Sequence, residues 1–253
     1  MPLENKISIF MPAYNAARHI ENVINRIPED IRGNIASIWI INDGSEDDTR
    51  KVIDGLARRI DTIKAVHFDK NRGYGVAVKK GLELSRDDGS DAAVCLHSDG
   101  QYPPEYIPAC VETMKKKGYD ILQGSRISSG TALSGKMPLY KFIANRALTF
   151  FENIVFRLKL TDYHSGFIFY SRRALDNIPF DRLSESFDFD VEVIACARTL
   201  GLGIGEHPIP TRYADEVSYL NPITYGFRIL GVMFKYLSGH YRRLCKEHEG
   251  GSE

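Results

Sequence analysis

The stretch Val94-Cys95-Leu96-His97-Ser98-Asp99-Gly100-Gln101-Tyr102-Pro103-Pro104-Glu105 decides how this chain is read. The apolar run over residues 92–96 has the length and composition of a buried strand. Pro103-Pro104-Glu105 has the prolines and the acid of a helix start. The residues between them fall in a strand-to-helix loop, which opens at the carboxyl edge of a parallel sheet if the strand is one of several. There Asp99 and Gln101 offer two hard oxygens, suited to Mg²⁺ or Mn²⁺ carried on a diphosphate and not to zinc. The plain alternative is an ordinary turn, in which Asp and Gly are common.

Outward from this stretch, β-branched runs over residues 7–11, 35–41, 63–68, 92–96 and 120–124 alternate with helical patterns, which predicts parallel strands joined by crossover helices. Ile20, Val23, Ile24 and Ile27 make one helical face, and Ser45 followed by Asp48 reads as a capping box for a helix over 49–60. Residues 128–135 are small and flexible, fit for a mobile loop over a site or a plain surface loop. Further on, the pattern predicts a helix over 138–159, a strand over 167–170, a helix over 189–200 and a strand over 204–209. The expectation is an α/β fold, Rossmann-like, with a mostly parallel central sheet flanked by helices and a mixed α+β second half.

Composition narrows the function. Lys+Arg and Asp+Glu balance at 33 each, so no overall field draws the chain to nucleic acid. Cys95, Cys110, Cys196 and Cys245 are scattered without a CxxC pair, as expected of reduced core thiols in a cytoplasmic protein. Residues 1–6 run directly into a strand pattern rather than a leader, and no window approaches the roughly 18–20 apolar residues of a membrane span. A soluble or peripheral protein is expected.

The C-terminal stretch places Ile223, Phe227, Leu230, Phe234, Leu237, Tyr241 and Leu244 at spacings of four and three, with Arg228, Lys235 and Arg242 on a neighbouring line. One amphipathic basic helix is expected, its stripe packed on its own domain or a second subunit, or lying in the plane of the cytoplasmic membrane face.

Loops from neighbouring parallel strands converge at a topological switch point. Pro12-Ala13-Tyr14-Asn15, Asn42-Asp43-Gly44-Ser45 and Gly124-Ser125-Arg126 should therefore join the Asp99 loop. Tyr14 offers a flat face for a base or ribose, Asp43 an acceptor for their donors and Arg126 a cation for a diphosphate. A core aromatic, a helix-start turn and a surface ion pair are the alternatives.

Taken in order, these segments resemble family 2 glycosyltransferases of the GT-A fold, closest to the dolichol-phosphate mannose synthase-like branch. The resemblance covers nearly the whole chain. It runs through Met11 to Asn15, Asn42-Asp43-Gly44-Ser45-Glu46-Asp47-Asp48-Thr49, Asn71-Arg72-Gly73-Tyr74-Gly75, the Asp99 stretch and Gly124-Ser125-Arg126. It continues through Asp162-Tyr163-His164-Ser165-Gly166-Phe167 and Gly205-Glu206-His207-Pro208-Ile209-Pro210-Thr211-Arg212. By that resemblance residues 1–220 are one GT-A domain, with a nucleotide-sugar half (1–126) and an acceptor half (127–220), followed by the helix and tail over 221–253.

The resemblance further implies that Pro12, Ala13, Tyr14 and Asp43 hold the nucleoside and that Ser98, Asp99 and Gln101 hold the metal-diphosphate. Arg126 and Arg212 would bind phosphates, with Lys141 and Arg146 as candidates for an acceptor phosphate or else a solvated helix face. His97 stands where the family's first acid usually lies, either as a neutral partner of ribose or metal-bound water or as a structural histidine. Asn42, Ala16 and Tyr219 also depart from the pattern, and no Gln-x-x-Arg-Trp segment is present.

The implied reaction is an inverting transfer of a hexose from a nucleotide-diphosphate sugar, of the GDP-mannose or UDP-glucose type, to a polyprenyl phosphate. Asp99 is indispensable to it, because charge grows on the departing diphosphate. A hydroxyl acceptor would instead need a base, for which Asp188 and Asp190 are the candidates, helix capping being their other reading. A nucleotide-sugar-binding protein without catalysis is the remaining alternative.

Overall fold

The computed structural model describes residues 6–130, 139–210 and 221–250. Strands β1 (Ile7–Ala13), β2 (Ile35–Asn42), β3 (Ile63–His67), β4 (Ala92–Cys95), β5 (Ile121–Ser125), β6 (Ile168–Ser171) and β7 (Ile204–Pro208) form one sheet in the order β3-β2-β1-β4-β6-β5-β7. All neighbouring strands run parallel except β6, which is antiparallel to both β4 and β5. The predicted mostly parallel sheet with a mixed second half is the one found.

Strand periodicity divides the core. Ile7, Ile9 and Met11 of β1 face one side with Ile38 and Ile40, whereas Phe10 points to the other with Ile41, Ala93 and Cys95. The first side is covered by α1 (Ile20–Asn25), the short α2 (Glu29–Arg32), α3 (Thr49–Arg59) and α5 (Ile107–Lys117). The second is covered by α4 (Tyr74–Asp87), α7 (Arg172–Asn177) and α8 (Phe189–Thr199), with the C-terminal helices outside them. All four cysteines are buried, and none is in a disulfide. The order reverses between β1 and β4, because β2 and β3 lie to one side of β1 and the later strands to the other. That places a crevice at the carboxyl ends of β1 and β4.

Three local expectations are corrected. The capping box at Ser45 does not form: the Thr49 amide donates to Asp47 Oδ1, while Ser45 Oγ accepts from the Asn15 amide. The helix predicted over 138–159 is α6 (Leu139–Phe156), which stops before Arg157, whose φ of 54° is not helical. The single C-terminal helix is two, α9 (Pro222–Leu237) and α10 (His240–Gly250), separated at Gly239, whose φ of 75° suits glycine. Asn221 caps α9 by accepting from the amides of Ile223 and Thr224.

The break changes what the stripe does. Tyr241 and Leu244 are buried, whereas Ile223, Phe227 and Phe234 are 74%, 70% and 73% exposed, and Leu230 and Leu237 are also exposed. Ile229, Val232 and Met233 on the opposite side of α9 supply its packing. Own-domain packing of the 223–237 stripe is thus not what the structure shows. Leu139, Ile143, Phe150, Phe151 and Ile154 of the adjacent α6 are exposed as well. Among the described residues no helix is long and apolar enough to cross a membrane.

Candidate active site

At the switch point lies a cavity of about 880 Å³, a size suited to a small-molecule ligand. Pro12, Ala13 and Tyr14 line it from the end of β1, Asp43 from the end of β2, and His97, Ser98 and Asp99 from the end of β4. All seven were singled out from the sequence. Arg18, His19, Asn71, Tyr74 and Phe187 also line it, and these had no role in that reading. Tyr74 sits in the quoted Asn-Arg-Gly-Tyr-Gly segment, so its aromatic ring among glycines was the available signal. Phe187 had none, since it reaches the cavity from a loop distant in sequence.

Backbone and side-chain contacts hold these ends together. Ser98 Oγ donates to the Pro12 carbonyl at 3.0 Å, joining the tips of β4 and β1. Asn15, with φ 51°, accepts the Glu46 amide on its Oδ1, which joins the tips of β1 and β2. The two oxygens of Asp43 accept the amides of Arg72 and Gly73 at 2.7 and 3.0 Å. Burial raises the Asp43 pKa, an effect those amides and the Arg72 charge oppose. Asp43 thus shapes the turn before α4 as well as lining the cavity.

Asp99 Oδ1 accepts the Gln101 amide at 3.0 Å, an Asx turn in the cavity wall. Among the described residues no three His, Cys, Asp or Glu side chains gather in a way that could hold a metal ion. Of the two expected oxygen ligands, Asp99 lines the cavity and Gln101 does not; the Asp99 carboxylate fits a hard cation whose remaining ligands are phosphate oxygens and water.

Arg126 does not line the cavity. It is buried, its Nε 3.4 Å from Asp162 Oδ2, its guanidinium donating to the His164 carbonyl and lying over the Tyr102 ring at 5.5 Å. Burial would raise the Asp162 pKa, but Arg126, His164 and hydrogen bonds from Asn145 and the His164 amide hold it below the usual carboxylate value. His164 Nε2 lies 3.3 Å from the buried Glu152 of α6, and its Nδ1 is 2.8 Å from the Tyr225 hydroxyl of α9. A charged cluster therefore fills the space beneath α6 and α9.

The two candidate bases are engaged elsewhere. Asp188 Oδ1 accepts from Ser184 Oγ at 2.8 Å and lies 3.3 Å from Arg228 of α9. Asp190 accepts the Tyr74 hydroxyl at 2.9 Å, and burial pushes its pKa up to about 7. Neither is among the cavity-lining residues. Arg146 is exposed on α6, and Lys141 belongs to the same helix, its side chain outside the described set. Arg212, Tyr219 and residues 131–135 of the small-residue loop lie outside the described residues.

A family model described as glycosyl transferase family 2 matches residues 8–178. The chain is 28% identical over 236 residues to a UDP-N-acetylglucosamine–dolichyl-phosphate N-acetylglucosaminyltransferase of Methanococcus voltae, covering 88% of this chain and 92% of that one. It is 25% identical over 253 residues to a dolichol-phosphate mannosyltransferase of Pyrococcus furiosus, covering 96% of this chain and 65% of that one. A crystal structure of glucosyl-3-phosphoglycerate synthase from Mycobacterium tuberculosis with Mn²⁺, uridine diphosphate and glucosyl-3-phosphoglycerate superposes with a TM-score of 0.66. The identity there is 17%, covering 92% of this chain and 80% of that one.

Proposed function

The chain belongs to glycosyl transferase family 2 and is a glycosyltransferase of the GT-A fold, and from that premise we propose that it moves a hexose-type sugar from a nucleotide diphosphate to a polyprenyl phosphate. The observation that carries the proposal is Asp99 lining a cavity of about 880 Å³ together with residues from the tips of β1, β2 and β4. Dolichyl-phosphate acceptors in the names of relatives at 28% and 25% identity support the acceptor class.

In this reading Pro12, Ala13, Tyr14 and Asp43 surround the nucleoside, and Asp99 with Gln101 holds Mg²⁺ or Mn²⁺. The cation would supply positive charge to the departing diphosphate. A phosphate acceptor is already anionic near pH 7, so attack on the anomeric carbon needs no strong base. That suits a site in which Asp188 and Asp190 are committed to Arg228, Ser184 and Tyr74. Arg212, Lys141 and Arg146 would position the phosphates, whereas Arg126, committed to Asp162 and the His164 carbonyl, would act by holding the backbone around them.

The exposed faces of α6 and α9 are proposed to rest on the membrane that carries the acceptor. Exposed side chains along α9 are apolar apart from Thr224, Arg228 and Lys235, and Arg242, Arg243 and Lys246 of α10 are exposed beside it. Such a face suits an anionic lipid surface, its apolar side chains towards the acyl chains and the exposed cations of α10 towards the headgroups.

The test is product analysis. Purified protein with a panel of nucleotide sugars, Mn²⁺ and a polyprenyl phosphate should yield an acid-labile glycosyl phosphate in the lipid phase. Transfer to a soluble hydroxyl compound instead would replace the acceptor, and nucleotide-sugar binding with neither transfer nor hydrolysis would leave only a binding protein.

A further inference from the structure

Three side chains from separate elements meet beside the cavity: Tyr74 at the start of α4 and His97 just past β4, which line it, and Asp190 in the first turn of α8, which does not. The Tyr74 hydroxyl donates to Asp190 Oδ2 at 2.9 Å and lies 3.3 Å from His97 Nε2. A phenol has one proton to give. Once Asp190 is ionised, as it is near pH 8, the phenol proton goes to its carboxylate and the phenol oxygen accepts from the imidazole, so Nε2 carries the hydrogen and Nδ1 is left as an acceptor.

Packing leaves the ring little freedom. The Tyr102 ring meets it edge-on at 5.1 Å, and the Tyr74 ring does so at 5.5 Å. A Cβ at Gly166 would come within 2.3 Å of His97 Nε2, so the chain passes the imidazole there only as glycine. Phe187 stacks on Tyr74 at 5.3 Å with an interplanar angle of 13°. Tyr74 and His97 line the cavity, while Asp190 lies behind them with Oδ1 buried and, among the described residues, without a hydrogen-bond partner. Such a carboxylate has one described use, which is to orient the phenol.

We propose that Asp190, acting through Tyr74, holds His97 as its Nε2–H tautomer so that Nδ1 accepts a hydrogen bond from a hydroxyl of the bound nucleotide sugar. This rests on the donor class proposed above. Diphosphate oxygens are acceptors only and cannot satisfy Nδ1, whereas ribose and sugar hydroxyls can. Asp190 is a positioning residue, and His97 supplies a neutral acceptor where a carboxylate would add a second negative charge beside the diphosphate.

The experiment is long-range ¹H–¹⁵N correlation on ¹⁵N-histidine-labelled, ligand-free protein near pH 8, with the His97 signals identified by their loss in His97→Gln. The expected result is the Nε2–H tautomer in the unaltered protein and a mixture of tautomers in Tyr74→Phe, which keeps the stacked ring. Tyr74→Phe should also raise the KM for the nucleotide sugar about 10-fold while kcat changes less than about 3-fold. An Nδ1–H tautomer in the unaltered protein, or an unchanged tautomer and KM in Tyr74→Phe, overturns the proposal. Because the tautomer is read without substrate, a wrong acceptor class leaves that result standing. If Tyr74→Phe does not fold, the unaltered spectrum decides the tautomer and Asp190→Asn serves as the second variant, with the same mixture expected.

Discussion

Lys235 Nζ of α9 lies 2.9 Å from Glu192 Oε1 of α8, and this contact joins the helix with the exposed apolar stripe to the helix beside the cavity. The same oxygen accepts the Tyr241 hydroxyl of α10 at 2.7 Å, and Glu192 Oε2 accepts the Ser184 amide at 2.6 Å. Glu192 is buried and fully used, whereas the Lys235 side chain is about half exposed. Glu192→Leu should therefore cost about 3 kcal/mol by leaving a phenol, an ammonium and an amide without their acceptor. Lys235→Met should cost under about 1 kcal/mol. Urea unfolding of both variants checks the ratio.

Asp99→Ala should retain the fold, since among the described residues the hydrogen bond that its side chain makes is to the Gln101 amide and the side chain otherwise faces the cavity. Transfer should fall by roughly 10²–10³-fold, the range for losing one electrostatic stabiliser of a leaving group. Stabilisation by nucleoside diphosphate should also lose its dependence on Mn²⁺ in a thermal-shift titration. A variant still stabilised by Mn²⁺ plus nucleotide as strongly as the unaltered protein would move the cation elsewhere.

His164 supplies a pH dependence. Burial alone would lower its pKa, but the charge and hydrogen bond of Glu152, together with Asp162, outweigh burial and raise it above 6.5. A raised histidine contributes stability that is full below its unfolded pKa and is lost as pH rises through the folded value. The stability difference between the unaltered protein and His164→Gln should therefore be largest below about pH 6.5 and shrink above it. Melting temperatures of the pair from pH 5.5 to 8.5 test the sign.

Asp190 runs the other way, as a carboxyl whose pKa burial raises from 3.8 to about 7. Its native state holds a proton that the unfolded chain has released, so stability falls as pH rises from about 4 to about 7. Asp190→Asn should remove that fall and be the more stable protein above pH 7. Denaturant midpoints at pH 5 and pH 8 separate the two slopes.

Phe227 and Phe234 are exposed on α9 and contribute little to the core. Replacing both with Asp should leave the melting temperature within about 2 °C, since surface changes rarely exceed about 0.5 kcal/mol. Co-sedimentation with anionic vesicles should fall at least about 10-fold, because two apolar anchors are lost and two like charges face the lipid. Unchanged vesicle binding together with a change in sedimentation coefficient would assign the face to self-association.

The sheet and the cavity-lining loops were legible because their signals are local. A β-branched run reads as a strand wherever it packs, and a parallel strand delivers the loop after it to the carboxyl edge. Tyr14, Asp43 and Asp99 could be named for that reason, and Pro12, Ala13, His97 and Ser98 through the family resemblance; all line the cavity. Tyr74, His97 and Asp190 could not be joined in advance, since their contacts span 23 and 116 residues and depend on how α4 and α8 dock on the sheet.

From the sequence alone came the α/β class and the loops that meet at the switch point, because hydrophobic period and loop chemistry are written residue by residue, and the family came through the resemblance of its motifs. Only the tertiary structure decided that Asp188 is tied to Arg228 and that the C-terminal stripe divides at Gly239 into an exposed part and a buried part. It alone also decided that Asp190 reaches the cavity through a tyrosine. Charge pairing and burial depend on which elements pack together, and side-chain spacing along one chain does not carry that information.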